Sequence, residues 1–144
     1  MKYYKRLKLY KTSNCVFNPE TMHATSYKWY DLLKMINGKV VLNTYRYSVS
    51  TGKHIRDVRG MLYKLNIPYE TIEAPRGLQN LEVAKTYYKN MIDERAAKIL
   101  APRTRQTTKN RLNEEINALT AKLVQINVWL GNNQEAVKMN LGVK

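Results

Sequence analysis

Apolar and polar residues alternate along the first part of the chain with two different periods, which predict a strand followed by a helix. Residues 2–11 alternate with period two, as a half-buried strand does. Its exposed face is predicted to carry Tyr4, Arg6, Lys8 and Tyr10. An apolar stripe at helical spacing then comprises Trp29, Leu32, Leu33 and Ile36. With Asn18 as N-cap (or Thr25 and Ser26 as an alternative start) and Gly38 as C-cap, a helix is predicted over residues 18–38.

The next segment repeats the strand–helix order. Residues 39–49 are rich in β-branched and aromatic side chains and predict a strand. Residues 53–66 predict a helix, because its apolar side chains recur at helical spacing: Ile55, Val58, Met61, Leu62 and Leu65. Residues 69–73 predict a third strand. The order favours an α/β fold (or α+β) with a small three-stranded β-α-β-α-β sheet, joined by crossover connections.

Two long helices are predicted after this sheet, over residues 79–100 and 105–130, with a break at Pro102. The second has an apolar seam at heptad spacing: Leu112, Ile116, Leu119, Leu123, Ile126 and Leu130. This seam predicts either a helical hairpin or a coiled coil that joins two copies of the chain. The predicted domains are a basic α/β core at 1–77, a helical pair at 78–131 that packs on the core or mediates self-association, and a flexible tail at 132–144.

The net charge of the chain indicates what kind of partner it binds. Its 25 Lys and Arg against 11 Asp and Glu leave a net charge of +14. Solubility alone is served by a net charge of about 2–8 in a small domain. A field this strong attracts polyanions. Residues 1–60 hold twelve basic and three acidic side chains, so the N-terminal part is the expected binding region.

Other residue types exclude several classes of protein. Cys15 is the single cysteine, so no internal disulfide forms, as is usual in a reducing compartment. His23 and His54 lie in separate segments, so we expect no metal site and no cofactor. No apolar run reaches the length of a membrane span, and the basic N-terminus lacks the apolar region of a signal peptide. The chain is expected to be cytoplasmic, with no membrane contact.

The best candidate for chemistry is the turn Ser50-Thr51-Gly52-Lys53-His54, between a predicted strand and a predicted helix. A helix start offers free N–H groups to a phosphate, and Gly52 permits close approach. The segment lacks the first glycine and the hydroxyl of a P-loop, so nucleotide hydrolysis is not expected. Nearby residues that would add phosphate contacts or base stacking are Arg46, Arg56, Arg59 and Tyr63. The alternative is an ordinary N-cap with solvated cations.

A second basic patch comprises Arg103, Arg105, Lys109 and Arg111, at the start of the last helix. It is either a phosphate-binding patch or a charged linker between two helices. Catalytic side chains are not evident: Asp57, Glu70 and Glu73 are poorly arranged for the metal ions of a nuclease, so an enzyme is not expected.

Lys, Asn and Tyr together make up 41 of 144 residues, and this composition resembles that of small bacteriophage accessory proteins. The leading hypothesis is a non-enzymatic protein that binds the phosphate backbone of DNA or RNA. The alternative is a protein-binding module, such as a phage-encoded inhibitor whose basic face docks an acidic groove. A metal-dependent nuclease is a third, weaker hypothesis.

Overall fold

The computed structural model describes residues 1–131, and the predicted tail at 132–144 lies outside the described residues. Over this range the chain forms seven strands and three helices. In chain order the elements are β1 (Lys2–Tyr4), β2 (Leu9–Thr12), β3 (Cys15–Asn18), β4 (His23–Ser26), β5 (Tyr30–Ile36), β6 (Lys39–Asn43), α1 (Val49–Lys64), β7 (Glu70–Ile72), α2 (Leu81–Leu100) and α3 (Gln106–Trp129).

All seven strands form one sheet, in which the spatial order is the chain order. Strands β1 to β6 are antiparallel neighbours, whereas β7 pairs with β6 in parallel after the chain has crossed over through α1. The turn from β5 to β6 is Asn37-Gly38, where both residues have positive φ, at 51° and 78°. That conformation is required by the tightest hairpin turns, which is why Asn-Gly is the usual choice there.

The core of the first part of the chain lies between one face of the sheet and α1. Apolar side chains of β3 to β6 point to this face, and α1 covers them with a stripe at helical spacing. The buried side chains of this core are Cys15, Phe17, Ala24, Tyr30, Leu32, Leu33, Leu42, Ile55, Val58, Met61 and Leu62. Burial of these apolar side chains is the main stabilising contribution to the fold.

The predicted helix over residues 18–38 is wrong, because this segment forms the end of β3, the strands β4 and β5, and the turns next to them. The reason is a β-bulge. Ala24 pairs with Leu33 and Thr25 pairs with Asp31, so that Leu32 is an extra residue on its strand. Leu32 and Leu33 are therefore both buried although they are adjacent. Two consecutive buried residues followed by Ile36 imitate the spacing of a helix, and Gly38 belongs to a hairpin turn, not to a helix cap.

Two predicted strands also differ from the structure. Residues 2–11 form two strands and a turn at residues 5–8, where the predicted alternation is interrupted. The strand predicted over 39–49 ends at Asn43, and residues 44–48 form a loop before α1. The chain has both a sheet and helices, as an α/β protein does. The predicted architecture, a three-stranded sheet followed by a two-helix hairpin or coiled coil, is nevertheless wrong, because the sheet is mixed and has seven strands.

The chain divides into two compact units, the first spanning Met1–Leu81 and the second beginning at Glu82. In the second unit, Arg95 of α2 forms an ion pair with Glu115 of α3 at 3.3 Å. Of the predicted seam on α3, Leu112 and Ile126 are buried, and the others are partly exposed: Ile116, Leu119, Leu123 and Leu130. Self-association through this seam stays a prediction.

Candidate nucleic-acid interface

Helix α1 begins earlier than the sequence predicts, and Ser48 caps it. The Ser48 hydroxyl oxygen accepts a hydrogen bond from the backbone N–H of Thr51 at 3.1 Å. Ser50, Thr51 and Gly52 therefore lie within the first turn of the helix and do not form a loop in front of it. The alternative of an ordinary N-cap within the turn Ser50-Thr51-Gly52-Lys53-His54 is therefore wrong, because the N-cap is Ser48.

Three members of the predicted phosphate-binding turn are buried: Thr51, Gly52 and His54. His54 is only 2% exposed, and its Nδ1 lies 2.6 Å from the Ser26 hydroxyl oxygen. Burial lowers the pKa of His54, the negative charge of Asp57 opposes this shift, and the positive charge of Lys53 adds to it. His54 thus makes a buried polar contact between α1 and β4, Thr51 bonds to the cap residue Ser48, and the Arg46 guanidinium lies against Gly52, so none of the three is exposed to a phosphate on the surface.

The cations of α1 are placed differently, because Lys53, Arg56 and Arg59 are all exposed. Spacings of three residues bring them onto one side of the helix, opposite its buried stripe. Arg46, from the loop before α1, joins them. Its guanidinium lies so close to the helix that a Cβ on Gly52 would be 2.7 Å from the Arg46 Nε atom. We call Arg46, Lys53, Arg56 and Arg59 the basic face of α1.

None of these four side chains forms an ion pair within residues 1–131. The first turn of α1 also contains no acidic residue. Within the described part of the chain, the basic face is therefore a concentration of positive charge without ion-pair partners.

An open groove of about 680 Å³ adjoins the basic face. Arg56, Arg59 and Tyr63 line it from α1, and Asn66 and Tyr69 line it from the segment that follows the helix. The side chain of Tyr63 is 85% exposed, so its ring is available for stacking. The predicted group of Arg56, Arg59 and Tyr63 is thus brought together on one surface.

The basic residues of the β1–β2 hairpin form a separate surface. Arg6 and Lys8 lie in its turn, and the amino groups of Lys2 and Lys11 lie 5.6 and 5.8 Å from the centre of the Tyr4 ring. Tyr10 was predicted to share the face of Tyr4, and this is wrong. Tyr10 pairs with Phe17 across the strands, with ring centres 5.9 Å apart, and packs against the core.

The second predicted basic patch lies at the start of α3, in the second unit. Arg103 and Arg105 are exposed, and Arg105 occupies the N-cap position without making a side-chain cap. Arg111 is compensated by Glu115, at 3.1 Å, and Lys109 is partly buried. This patch thus carries less uncompensated charge than the basic face of α1.

Sequence reasoning missed two exposed aromatic residues. Trp29 lies in the turn before β5 and Tyr47 lies in the loop before α1, with side chains 44% and 52% exposed. Their ring centres are 5.7 Å apart and their planes are almost perpendicular, at 86°. The buried ring of Tyr30 contacts both, at 5.3 and 5.6 Å. We call Trp29 and Tyr47 the aromatic pair.

Buried polar groups hold the loop that carries Tyr47. The amide of Asn43 pairs with the backbone N–H and C=O of Ala74, both at 2.9 Å, and its oxygen also accepts from the N–H of Tyr45 at 3.0 Å. The Tyr30 hydroxyl lies within hydrogen-bond distance of the carbonyl oxygens of Tyr45 and Ala74. Burial raises the pKa of Tyr30 to about 12, so the hydroxyl stays a neutral donor.

A sequence signal for the aromatic pair does exist. The segments Tyr27-Lys28-Trp29 and Tyr45-Arg46-Tyr47 share the order aromatic, cation, aromatic. The periodic pattern instead predicts Trp29 in the apolar stripe of a helix that does not form, and Tyr47 in a strand that ends at Asn43. Only the sheet brings the two segments into contact.

The side chains of residues 1–131 provide neither a cluster of metal ligands nor an activated cysteine. No three His, Cys, Asp or Glu side chains of this range lie together as a metal ion would require. Burial raises the pKa of the Cys15 thiol to about 12, which makes it a poor nucleophile. Within the same residues, no helix has the length and apolar character needed to cross a membrane.

Comparison of the chain with protein-family models, with curated proteins and with solved structures finds no match.

Proposed function

We propose that this chain is a non-enzymatic nucleic-acid-binding protein that contacts the phosphate backbone through the basic face of α1. The observation that carries this proposal is a group of four exposed cations that form no ion pair with any residue in the range 1–131. Phosphates would relieve the mutual repulsion of these cations. Arginine suits this role because its guanidinium can form two parallel hydrogen bonds to one phosphate.

The arrangement of the basic face favours contact with the phosphate backbone of a nucleic acid over recognition of its base sequence. The cations lie along one side of a helix whose opposite side is committed to the core. Contacts of this kind set the position and affinity of a nucleic acid and carry no sequence information by themselves. The adjoining groove, with the exposed ring of Tyr63, offers room for a base or sugar next to the phosphate contacts.

A charge reversal on α1 tests the proposal. Fluorescence anisotropy with labelled single- and double-stranded DNA and RNA, over a salt series, would compare wild type with Lys53→Glu/Arg56→Glu. We expect the double variant to bind at least about tenfold more weakly at physiological salt. Its slope of log affinity against log salt should fall by about 1.5, because each lost phosphate contact removes about 0.7–0.9 from it.

The matched control is Lys34→Glu/Lys89→Glu, which makes the same change in net charge at exposed lysines of β5 and α2. Equal loss of affinity in both double variants would mean that the charge acts generically, and the basic face would then not be a site. Absence of binding to all four probes would reject a nucleic-acid ligand. In that case, retention of an acidic protein after nuclease treatment would favour the alternative, a basic face that docks an acidic groove.

A further inference from the structure

We propose, on the basis of the function proposed above, that the nucleic acid is single-stranded and that its bases stack on the aromatic pair, Trp29 and Tyr47. About half of each side chain is exposed, although the two rings contact one another and the buried ring of Tyr30. Tyr30 already fills the core at this point, so the outer faces of Trp29 and Tyr47 are not needed to complete it. Large exposed rings grouped in this way are typical of binding surfaces.

The preference for a single strand follows from which bases an aromatic ring can stack on. In a duplex each base is stacked between its neighbours, so its face is covered. In a single strand the bases can separate and stack on protein side chains, and every base has a suitable face. The aromatic pair therefore selects for unpaired bases, whereas the cations of α1 serve a single or double strand alike.

Positive charge accompanies both aromatic residues. Lys28 precedes Trp29, and Arg46 precedes Tyr47 in the loop before α1. The guanidinium of Arg46 lies against Gly52, so Arg46 belongs both to the surroundings of the aromatic pair and to the basic face. A single strand whose bases stack on Trp29 and Tyr47 would thus have its phosphates next to Arg46, with Lys53 one residue beyond Gly52 on the same helix.

Hydrogen bonds hold the backbone next to the aromatic pair in place before any ligand binds. Gln79 accepts a hydrogen bond from the N–H of Asp31 at 3.1 Å and donates one to the carbonyl oxygen of Trp29 at 2.5 Å, which fixes the turn on both sides of Tyr30. Asn43 fixes the start of the loop that carries Tyr47. Binding to groups that are already ordered costs less conformational entropy, which is the usual advantage of a preorganised site.

Tryptophan fluorescence gives a direct test, because stacking of a base on an indole changes its emission. The chain has two tryptophans, so Trp129→Phe would leave Trp29 as the single reporter. This variant would be titrated with an oligodeoxythymidine of about 12 nucleotides, a length within the usual range of single-strand sites, and with a duplex of equal length. We expect quenching by the single strand, little change with the duplex, and at least about tenfold tighter binding of the single strand.

Three substitutions locate the contact. Trp29→Ala and Tyr47→Ala should each weaken single-strand binding by about five- to 100-fold, the range found for removal of one stacking aromatic, and should leave duplex binding unchanged. Trp29→Phe should restore most of the affinity, because it keeps a ring. Tyr3→Ala, at a similarly exposed aromatic of β1, is the control and should bind as wild type does. Circular dichroism and thermal melting would show that each variant is folded.

The results separate the two proposals. No binding of either nucleic acid would reject the proposed function itself. Binding that depends on Lys53 and Arg56, but is equal for single strand and duplex and insensitive to Trp29→Ala, would retain the proposed function and overturn this inference. Preferential binding of the duplex would overturn it as well.

Discussion

Asn43 shows how one buried polar side chain can determine the course of a loop. It is fully buried, and its amide takes the place of a backbone peptide opposite Ala74, which continues the pairing of β6 with β7 beyond their last strand residues. Its oxygen also holds the N–H of Tyr45. A buried amide without such partners would cost about 1–3 kcal/mol. The position of Arg46 and Tyr47 at the surface therefore depends on a residue in the interior.

His54 predicts how stability responds to pH. Since burial lowers its pKa in the folded state, folding favours the neutral ring. This contribution is complete above the ordinary value of about 6.5 and is lost as the pH falls through the lower folded-state value. We expect the free energy of unfolding, measured by urea titration, to fall as the pH is lowered from about 7.5 to 5.

Replacing the ring with an amide tests the assignment. His54→Gln should be about 1–3 kcal/mol less stable at high pH, because the contact with Ser26 is disturbed, and should show a flatter pH dependence. His23→Gln is the control, since His23 is partly exposed and pairs with Asp31. If the pH dependence persisted in His54→Gln and disappeared in His23→Gln, the source of the effect would be His23.

At the scale of elements, the two opposite sides of α1 have different roles. Its apolar stripe covers the sheet, while its other side carries the basic face. Gly52 is at odds with helix propensity, because glycine costs about 1 kcal/mol relative to alanine in a helix. The close approach of the Arg46 guanidinium accounts for it, since there is no room for a Cβ beside that group unless Arg46 moves.

Gly52→Ala should therefore separate stability from binding. Arg46 is flexible and can move aside, so the variant should be as stable as wild type or up to about 1 kcal/mol more stable. Its affinity for single-stranded DNA should fall several-fold, because Arg46 no longer lies along α1. Gly60→Ala is the matched control for stability: a Cβ there meets nothing within 4 Å, so this variant should be more stable than wild type. Thermal melting and anisotropy measure the two effects, and unchanged affinity in Gly52→Ala would remove Arg46 from the site.

At the scale of the whole molecule, net charge is the dominant property. Because the net charge is +14, like charges repel one another in the folded state, and salt screens this repulsion. The same salt competes with the protein for phosphates. Folding and binding should therefore respond to ionic strength in opposite directions.

We expect the melting temperature to rise by about 3 °C, equivalent to about 1 kcal/mol, when sodium chloride is raised from about 0.01 M to 0.15 M. Affinity for nucleic acid should fall over the same range. Lys53→Glu/Arg56→Glu, whose net charge is four lower, should show a smaller rise in melting temperature in scanning fluorimetry. A melting temperature that fell with salt would mean that ion pairs stabilise the fold more than repulsion destabilises it.

Local sequence patterns determined the parts of this protein that depend on neighbouring residues. The period of apolar side chains in α1 is long and regular, so the helix and its exposed cations, Lys53, Arg56 and Arg59, follow from the sequence. The existence of β7, α2 and α3 follows in the same way. The concentration of charge in the N-terminal part needs no structure at all.

The tertiary structure alone decided the arrangement of the sheet and of the aromatic pair. The bulge at Leu32 can be recognised only when β5 is paired with β4, because it is the pairing that makes the residue an extra one. Burial of His54 depends on Ser26, twenty-eight residues away. Trp29 and Tyr47 meet only because the sheet and the amide of Asn43 place their two loops side by side. Contacts between distant segments leave no periodic signal in either segment, and this is why sequence patterns could not predict them.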